Sequence, residues 1–384
     1  MKRSTVSIIV ALVVVAAMGF TSLAEAQRIS GEERDAIFAS APKIATSVPG
    51  ASLFQAPPKG FNPLTATNRE LLSYGLPQAP DKDADPMGYQ HWERAMLALK
   101  TYATDAKAKP YSSVNARSTG AGATANVDGT SSISFYNWSG IANTNKDKSW
   151  NKKTSFDEVV SYWNEPVSNH PFGNLPCSEG PWFEVTWNGI DGFSNGDVVQ
   201  GGSAIYWDDG GCGGPIEYFG WWEWYPSYSI IEAYCSGNPC FVSPGDDFVA
   251  VTYGAPGTST QNVFIEDITQ QWSGTLSMAY QSGPGLVGNS AEYIVERPCC
   301  SGSNEYPLAN YIFEFMGYNY AYDVAGTLFY PGSTSAATYI ITMVNDQDSE
   351  NISFPLIYGS SGNAGRYSIM MEDENCAYSG GCTP

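Results

Sequence analysis

Two glutamates stand four residues apart in AEYIVE (Ala291–Glu296), and a glutamine precedes two glycines in VVQGG (Val198–Gly202). Both stretches are β-prone. Strand periodicity puts Glu292, Ile294 and Glu296 on one face, with Tyr293 and Val295 on the other. At ~3.3 Å per residue the two carboxylates are about 13 Å apart, too far to share a proton with each other. One of them facing a cleft could act as general base on a water held by a second group; a solvated strand face explains the same letters. Gln200 is a candidate for that second group. Its amide does not titrate, so it can donate to an oxyanion at any pH while its carbonyl orients a water. Gly201 and Gly202 permit close approach of a ligand or another backbone, although a hairpin or bulge would also use them. FGWWEWYPSY (Phe219–Tyr228) adds Glu223 among Phe219, Trp221, Trp222 and Trp224. These aromatics could line a groove or build a core.

Other chemistries lack their residues. There are only two histidines, His91 and His170, and His170 sits in the loop-like NEPVSNHPFG without a GxSxG elbow. A histidine-based triad therefore has little support. HExxH, phosphate-binding glycine motifs and a pair of D-T/S-G loops are absent. No metal or other cofactor is expected.

The surrounding chain suggests how such groups would be carried. Lys2 and Arg3, the apolar run SIIVALVVVAAMGF and the small-residue AEA resemble a secretory signal peptide over 1–26. No later run is long and apolar enough to span a bilayer, so no membrane contact is expected after cleavage. From Gln27 to Val127 there are 11 Lys and Arg against 9 Asp and Glu; from Asp128 to Pro384, 6 against 29. The second part repels nucleic-acid phosphates, and nucleic acid is not an expected partner. Such acidity fits either work in acid or the solubility of an exported protein. All eight cysteines follow residue 176, an even number that favours disulfides in an exported chain, with connectivity open.

Residues 27–127 read as partly helical. Thr67 and Glu70 form a capping box, Gly75 and Pro77 stop that helix, and Trp92, Met96, Leu99 and Ala103 recur at helical spacing. RSTGAGATANVDGTSS (Arg117–Ser132) has linker composition. The charge contrast suggests a propeptide that inhibits the acidic domain. Beyond it, short alternating or aromatic runs separated by Gly, Pro, Asn and Ser predict an all-β antiparallel sandwich or barrel over 128–384.

In combination, the motifs resemble the glutamic peptidase family, the eqolisins. YNWSGI (Tyr136–Ile141), SFDEVVSYWNEP (Ser155–Pro166), WNGIDG (Trp187–Gly192), VVQGG, WEWYP (Trp222–Pro226), AEYIVE and TYIITMVN (Thr338–Asn345) occur in the family's order between Ser134 and about Tyr358. The resemblance implies a sandwich of two curved antiparallel sheets, concanavalin A-like, preceded by a propeptide. It puts the catalytic pair on Gln200 and Glu296, acting on polypeptide substrates in acid. Trp138, Asp191, Trp222, Glu223, Trp224 and Glu292 are candidates for the substrate groove. Departures are Gly201 in place of threonine, Arg297–Pro298 after Glu296, Trp222 in place of tyrosine, and the cysteine pattern. A secreted monomer is expected. The alternatives are a secreted glycoside hydrolase, with Glu223 and Glu296 as its acids, and a carbohydrate-binding sandwich.

Overall fold

The computed structural model describes residues 28–112, 124–125, 130–144, 155–168, 181–208, 215–301, 304–311, 313–332, 337–344, 351–358 and 368–373. The expected signal peptide, most of the linker and His170 lie outside them. Two β layers face each other. The first runs Asp105–Ala108, Ile231–Cys235, Ile216–Tyr225, Val198–Trp207, Trp182–Ile190, Ser290–Glu296, Trp138–Thr144 and Ala337–Val344, all antiparallel. Ser131–Phe135 adds a parallel strand beyond it, a departure from the wholly antiparallel expectation. The second layer runs Asn351–Tyr358, Ser368–Asp373, Phe313–Asp323, Phe156–Asn164, Asp247–Tyr253, Thr260–Asp267, Trp272–Ala279 and Ala51–Phe54. The Ala337–Val344 and Asn351–Tyr358 strands pair and carry the hydrogen bonding from one layer into the other.

Period-two alternation builds the space between the layers. Val199, Trp222, Trp224, Tyr293 and Val295 from the first sheet pack with Trp163, Phe248, Ala250, Val263 and Ile265 from the second. Full burial of a valine, isoleucine or phenylalanine among them contributes about 1.5–3 kcal/mol. Ser203 faces the same space and accepts a hydrogen bond from Trp163 Nε1 at 3.0 Å. A disulfide joins Cys235 to Cys240.

Residues 28–111 build a third layer of helices and small edge strands. Helices α1 (Gly31–Ser40), α2 (Asn68–Ser73) and α3 (Pro86–Ala98) cover the outer face of the second sheet. The capping box at Thr67 and Glu70 is present, and Gly75, at φ 73°, takes the left-handed turn that ends α2. Helix α3 buries Trp92 and Met96 but stops at Ala98, before the expected Leu99 and Ala103. The chain instead becomes extended at Thr101–Tyr102 and then pairs along a sheet edge. Among the described residues no helix is long and apolar enough to cross a membrane.

Candidate active site

The outer face of the first sheet carries the polar residues that the sequence singled out. In register, Glu223 stands opposite Gln200, Gln200 opposite Gly189, and Gly189 opposite Glu292. Farther along the same face, Trp187 lies opposite Gly202 and Ile294, and Val185 lies opposite Glu296. Trp138 flanks Glu296 on its other side. Gln200 and Glu296 thus share one wall, with the Trp182–Ile190 strand between theirs. Trp138, Trp187, Trp221, Phe219 and Ile294 pack together on this wall, apart from the core between the sheets.

Hydrogen bonds fix both polar ends. Gln200 Nε2 donates to Glu223 Oε2 at 2.8 Å, while Gln200 Oε1 is buried and without a hydrogen-bond partner. A carboxylate only accepts, so this bond points the amide nitrogen at Glu223 and keeps its second N–H available. Trp187 Nε1 donates to Glu296 Oε2 at 2.9 Å. The Trp187 ring leans over Gly189: a Cβ there would fall 2.7 Å from Trp187 Cζ3 and 3.2 Å from Gln200 Cβ. Glycine at 189 therefore leaves room for the indole that lies between the Gln200 and Glu296 strands. Trp138 stacks edge-on against Trp187, with centroids 5.0 Å apart and planes at 77°.

Gln200, Glu223, Glu292 and Glu296 are all 0% exposed. The solvated-face alternative for AEYIVE does not hold. Burial raises the Glu292 carboxyl well above the ordinary range, and Asp191 adds to the rise. Asp191 shapes the site from behind. At φ 71°, it accepts backbone N–H bonds from Val287, Gly288 and Asn289 at 2.6, 2.9 and 2.6 Å. That holds the loop leading into the Glu296 strand.

Several expectations need correction. Trp222 and Trp224 do not line this wall; alternation turns them into the core between the sheets, where Trp224 Nε1 donates to Asp197 Oδ1. Trp221, their neighbour, occupies the site face instead, its Nε1 bound to the Ser203 carbonyl at 2.8 Å. Gly201, in place of threonine, faces the second sheet, where a Cβ would fall 2.5 Å from Val263 Cγ1. Arg297, a departure from the family pattern, is buried, and its Nε donates to the Tyr136 carbonyl at 2.6 Å. Glu223 and Glu296 lie on strands separated by two others of the sheet. Trp187 and Gly189 were missed as site residues, although period two from Asp191 would have put both on its face. Among the described residues, no group of three or more His, Cys, Asp or Glu is arranged to hold a metal ion.

Residues 136–353 match the Peptidase A4 family. That stretch is more than half of the chain, and the chain belongs to this family. No curated protein matches it. Similar solved structures include scytalido-glutamic peptidase bound to a transition state analog inhibitor, at 18% identity and a TM-score of 0.45, covering 62% of this chain and 98% of that one. SCP-B, a member of the eqolisin family of peptidases in complex with the tripeptide Ala-Ile-His, is 17% identical, with a TM-score of 0.43 and coverage of 62% and 98%. Aspergilloglutamic peptidase from Aspergillus niger is 21% identical, with a TM-score of 0.39 and coverage of 50% and 99%.

Proposed function

We propose that the protein is a secreted acid endopeptidase whose Gln200 and Glu296 act together on one water. The observation that carries this reading is their placement on one face of one sheet, each held by its own partner, Glu223 or Trp187. The Glu296 carboxylate takes a proton from the water, which attacks the scissile carbonyl carbon. The second N–H of Gln200 stabilises the tetrahedral oxygen, and protonated Glu296 then gives its proton to the leaving nitrogen. A carboxylate base works best where its pKa lies near the working pH, which ties the reaction to an acidic medium.

Complete burial of the pair ties activity to an opening of this face. We assign that opening to processing of a precursor: removal of Met1–Ala26 on export, then a cut within Arg117–Ser132 that relieves inhibition by the N-terminal segment. Two features of the described chain support it. Tyr111, where that segment ends, packs on Phe183 and Tyr206 of the site face, with ring centroids 4.9 and 5.0 Å away. Thr124–Ala125 pairs with Ser131–Ser132, at the far edge of the same sheet. Of the basic residues suited to an electrostatic hold, Lys109 meets Glu232 at 3.2 Å and Glu217 at 3.4 Å. Lys107 lies over the Tyr234 ring, and Arg117 lies outside the described residues.

Digestion of an unfolded protein at pH 3.5, with pepstatin and with a metal chelator, tests the function. Cleavage that resists both is expected. Cleavage abolished by either would replace the Gln–Glu reading with an aspartic or metal mechanism.

A further inference from the structure

We infer that residues 28–111 are a permanent layer of the folded protein, which stays on the sandwich as a separate, non-covalent chain once the connection between them is cut. This segment completes two sheet edges and covers the outer face of the second sheet with an apolar layer. Ala51–Phe54 pairs with the Trp272–Ala279 strand, setting Leu53 opposite Leu276. Asp105–Ala108 pairs with the Ile231–Cys235 strand, setting Ala106 opposite Ala233. Both contacts satisfy backbone groups that would otherwise form open edges prone to pairing with other chains.

Between those edges, Phe38, Leu71, Leu72 and Met96 are at most 2% exposed. They share one apolar cluster with Tyr253 and Phe264 of the second sheet. Without the segment this aromatic face would be bare, and soluble monomers rarely expose contiguous apolar patches above a few hundred Å². Buried polar groups cross the same seam. Arg34 of α1, 1% exposed, reaches Asp157 at 3.3 Å and Glu158 at 3.8 Å, and Arg28 reaches Glu158 at 2.7 Å. Thr275 Oγ1 donates to the Gly75 carbonyl at 2.8 Å.

Acid does not loosen this hold through Asp157. Burial, partly opposed by Arg34 and Arg28, moves its carboxyl up to about 6, and a carboxyl raised in the assembled state favours that state as pH falls. Asp35 and Glu158 also face Arg34, Tyr253 lies beside its guanidinium, and Arg28 and Tyr322 complete the surroundings. The apolar contacts and the backbone pairing do not titrate. Because the helices lie on the outer face of the second sheet and Gln200 on the outer face of the first, the site can open at Tyr111, the end of the segment, while the rest of the layer stays.

The test does not depend on peptidase activity. A recognition sequence for a specific protease is inserted after Gly120 in the full chain carrying Glu296→Gln, the protein is cut, and the product is run on gel filtration at pH 7 and pH 4. Both fragments are expected to co-elute in equal amounts as one species at each pH. The cut protein carrying Leu72→Asp is expected to release the N-terminal fragment. Separation of the unsubstituted fragments at pH 4, with the sandwich fragment eluting as a folded monomer, would overturn the inference. So would undiminished co-elution of the Leu72→Asp protein.

Discussion

At the scale of single residues, Trp187 links the two halves of the site. Its indole hydrogen-bonds the Glu296 carboxylate and fills the space that Gly189 leaves beside Gln200. A hydrogen bond to a carboxylate favours its charged form, the form a general base needs. Trp187→Phe keeps the ring and removes the donor. We predict that the acid limb of the kcat/KM profile then moves to higher pH by about one unit, with roughly tenfold lower activity near pH 3.5. A pH–rate series on the variant and the parent checks this; superimposable profiles would leave Trp187 a packing residue only. The facing of AEYIVE was legible from alternation alone, since Ile294 joins the site cluster while Tyr293 and Val295 enter the core. WWEW was not legible in the same way. Alternation separates Trp221 and Glu223 from Trp222 and Trp224, but no local signal says which set faces the second sheet.

At the scale of elements, the site exists because two consecutive strands and a third remote from them in the chain lock into one register. Gln200, Gly189 and Glu292 align only once the Val198–Trp207, Trp182–Ile190 and Ser290–Glu296 strands have paired. Nothing within any one of those strands encodes that alignment; the family resemblance named Gln200 and Glu296 as a pair but not the register or Gly189. Glycines protect the arrangement. Gly201 faces the second sheet, so Gly201→Thr is predicted to cost about 1–3 kcal/mol in overpacking while leaving turnover per folded molecule unchanged. Urea unfolding beside an active-fraction assay reads both quantities. Gly189→Ala presses instead on Trp187 and Gln200 and should lower activity more than stability. The ordering reverses if Gly201 rather than Gly189 borders the reacting groups. The N-terminal elements show another limit of sequence. Caps and turns mark α2, yet the extended pieces at Ala51–Phe54 and Asp105–Ala108 become strands only through the edges they meet.

At the scale of the whole molecule, the acidity of the sequence has a counterpart inside the fold. Glu165, Glu184 and Glu314 are buried near one another; burial first, then their mutual repulsion, raises Glu165 and Glu314 well above the carboxylate range. Burial moves Glu184 up to about 8, against the hydrogen bond it accepts from Thr186 Oγ1 at 2.7 Å. Asp267 is raised to about 8 and Asp197 to about 6, in each case first by burial. A carboxyl raised on folding stabilises the fold fully below its unfolded pKa of about 4, and that stability is lost as pH rises through the folded value. The protein is therefore predicted to be most stable near pH 4 and to lose stability progressively up to about pH 8. Thermal melts at pH 4, 6 and 8 test this, and Glu184→Gln should recover on the order of 1–3 kcal/mol at pH 8. A flat or rising profile would mean that these groups are relieved by partners or solvent.

The central claim is that one amide and one carboxylate act on a single water, and its most direct measurement is kcat/KM at pH 3.5 for processed Gln200→Ala and Glu296→Gln proteins. Each is predicted to fall at least about 10²–10³-fold, with near-ultraviolet circular dichroism unchanged. Either variant, folded and within threefold of the parent, would contradict it.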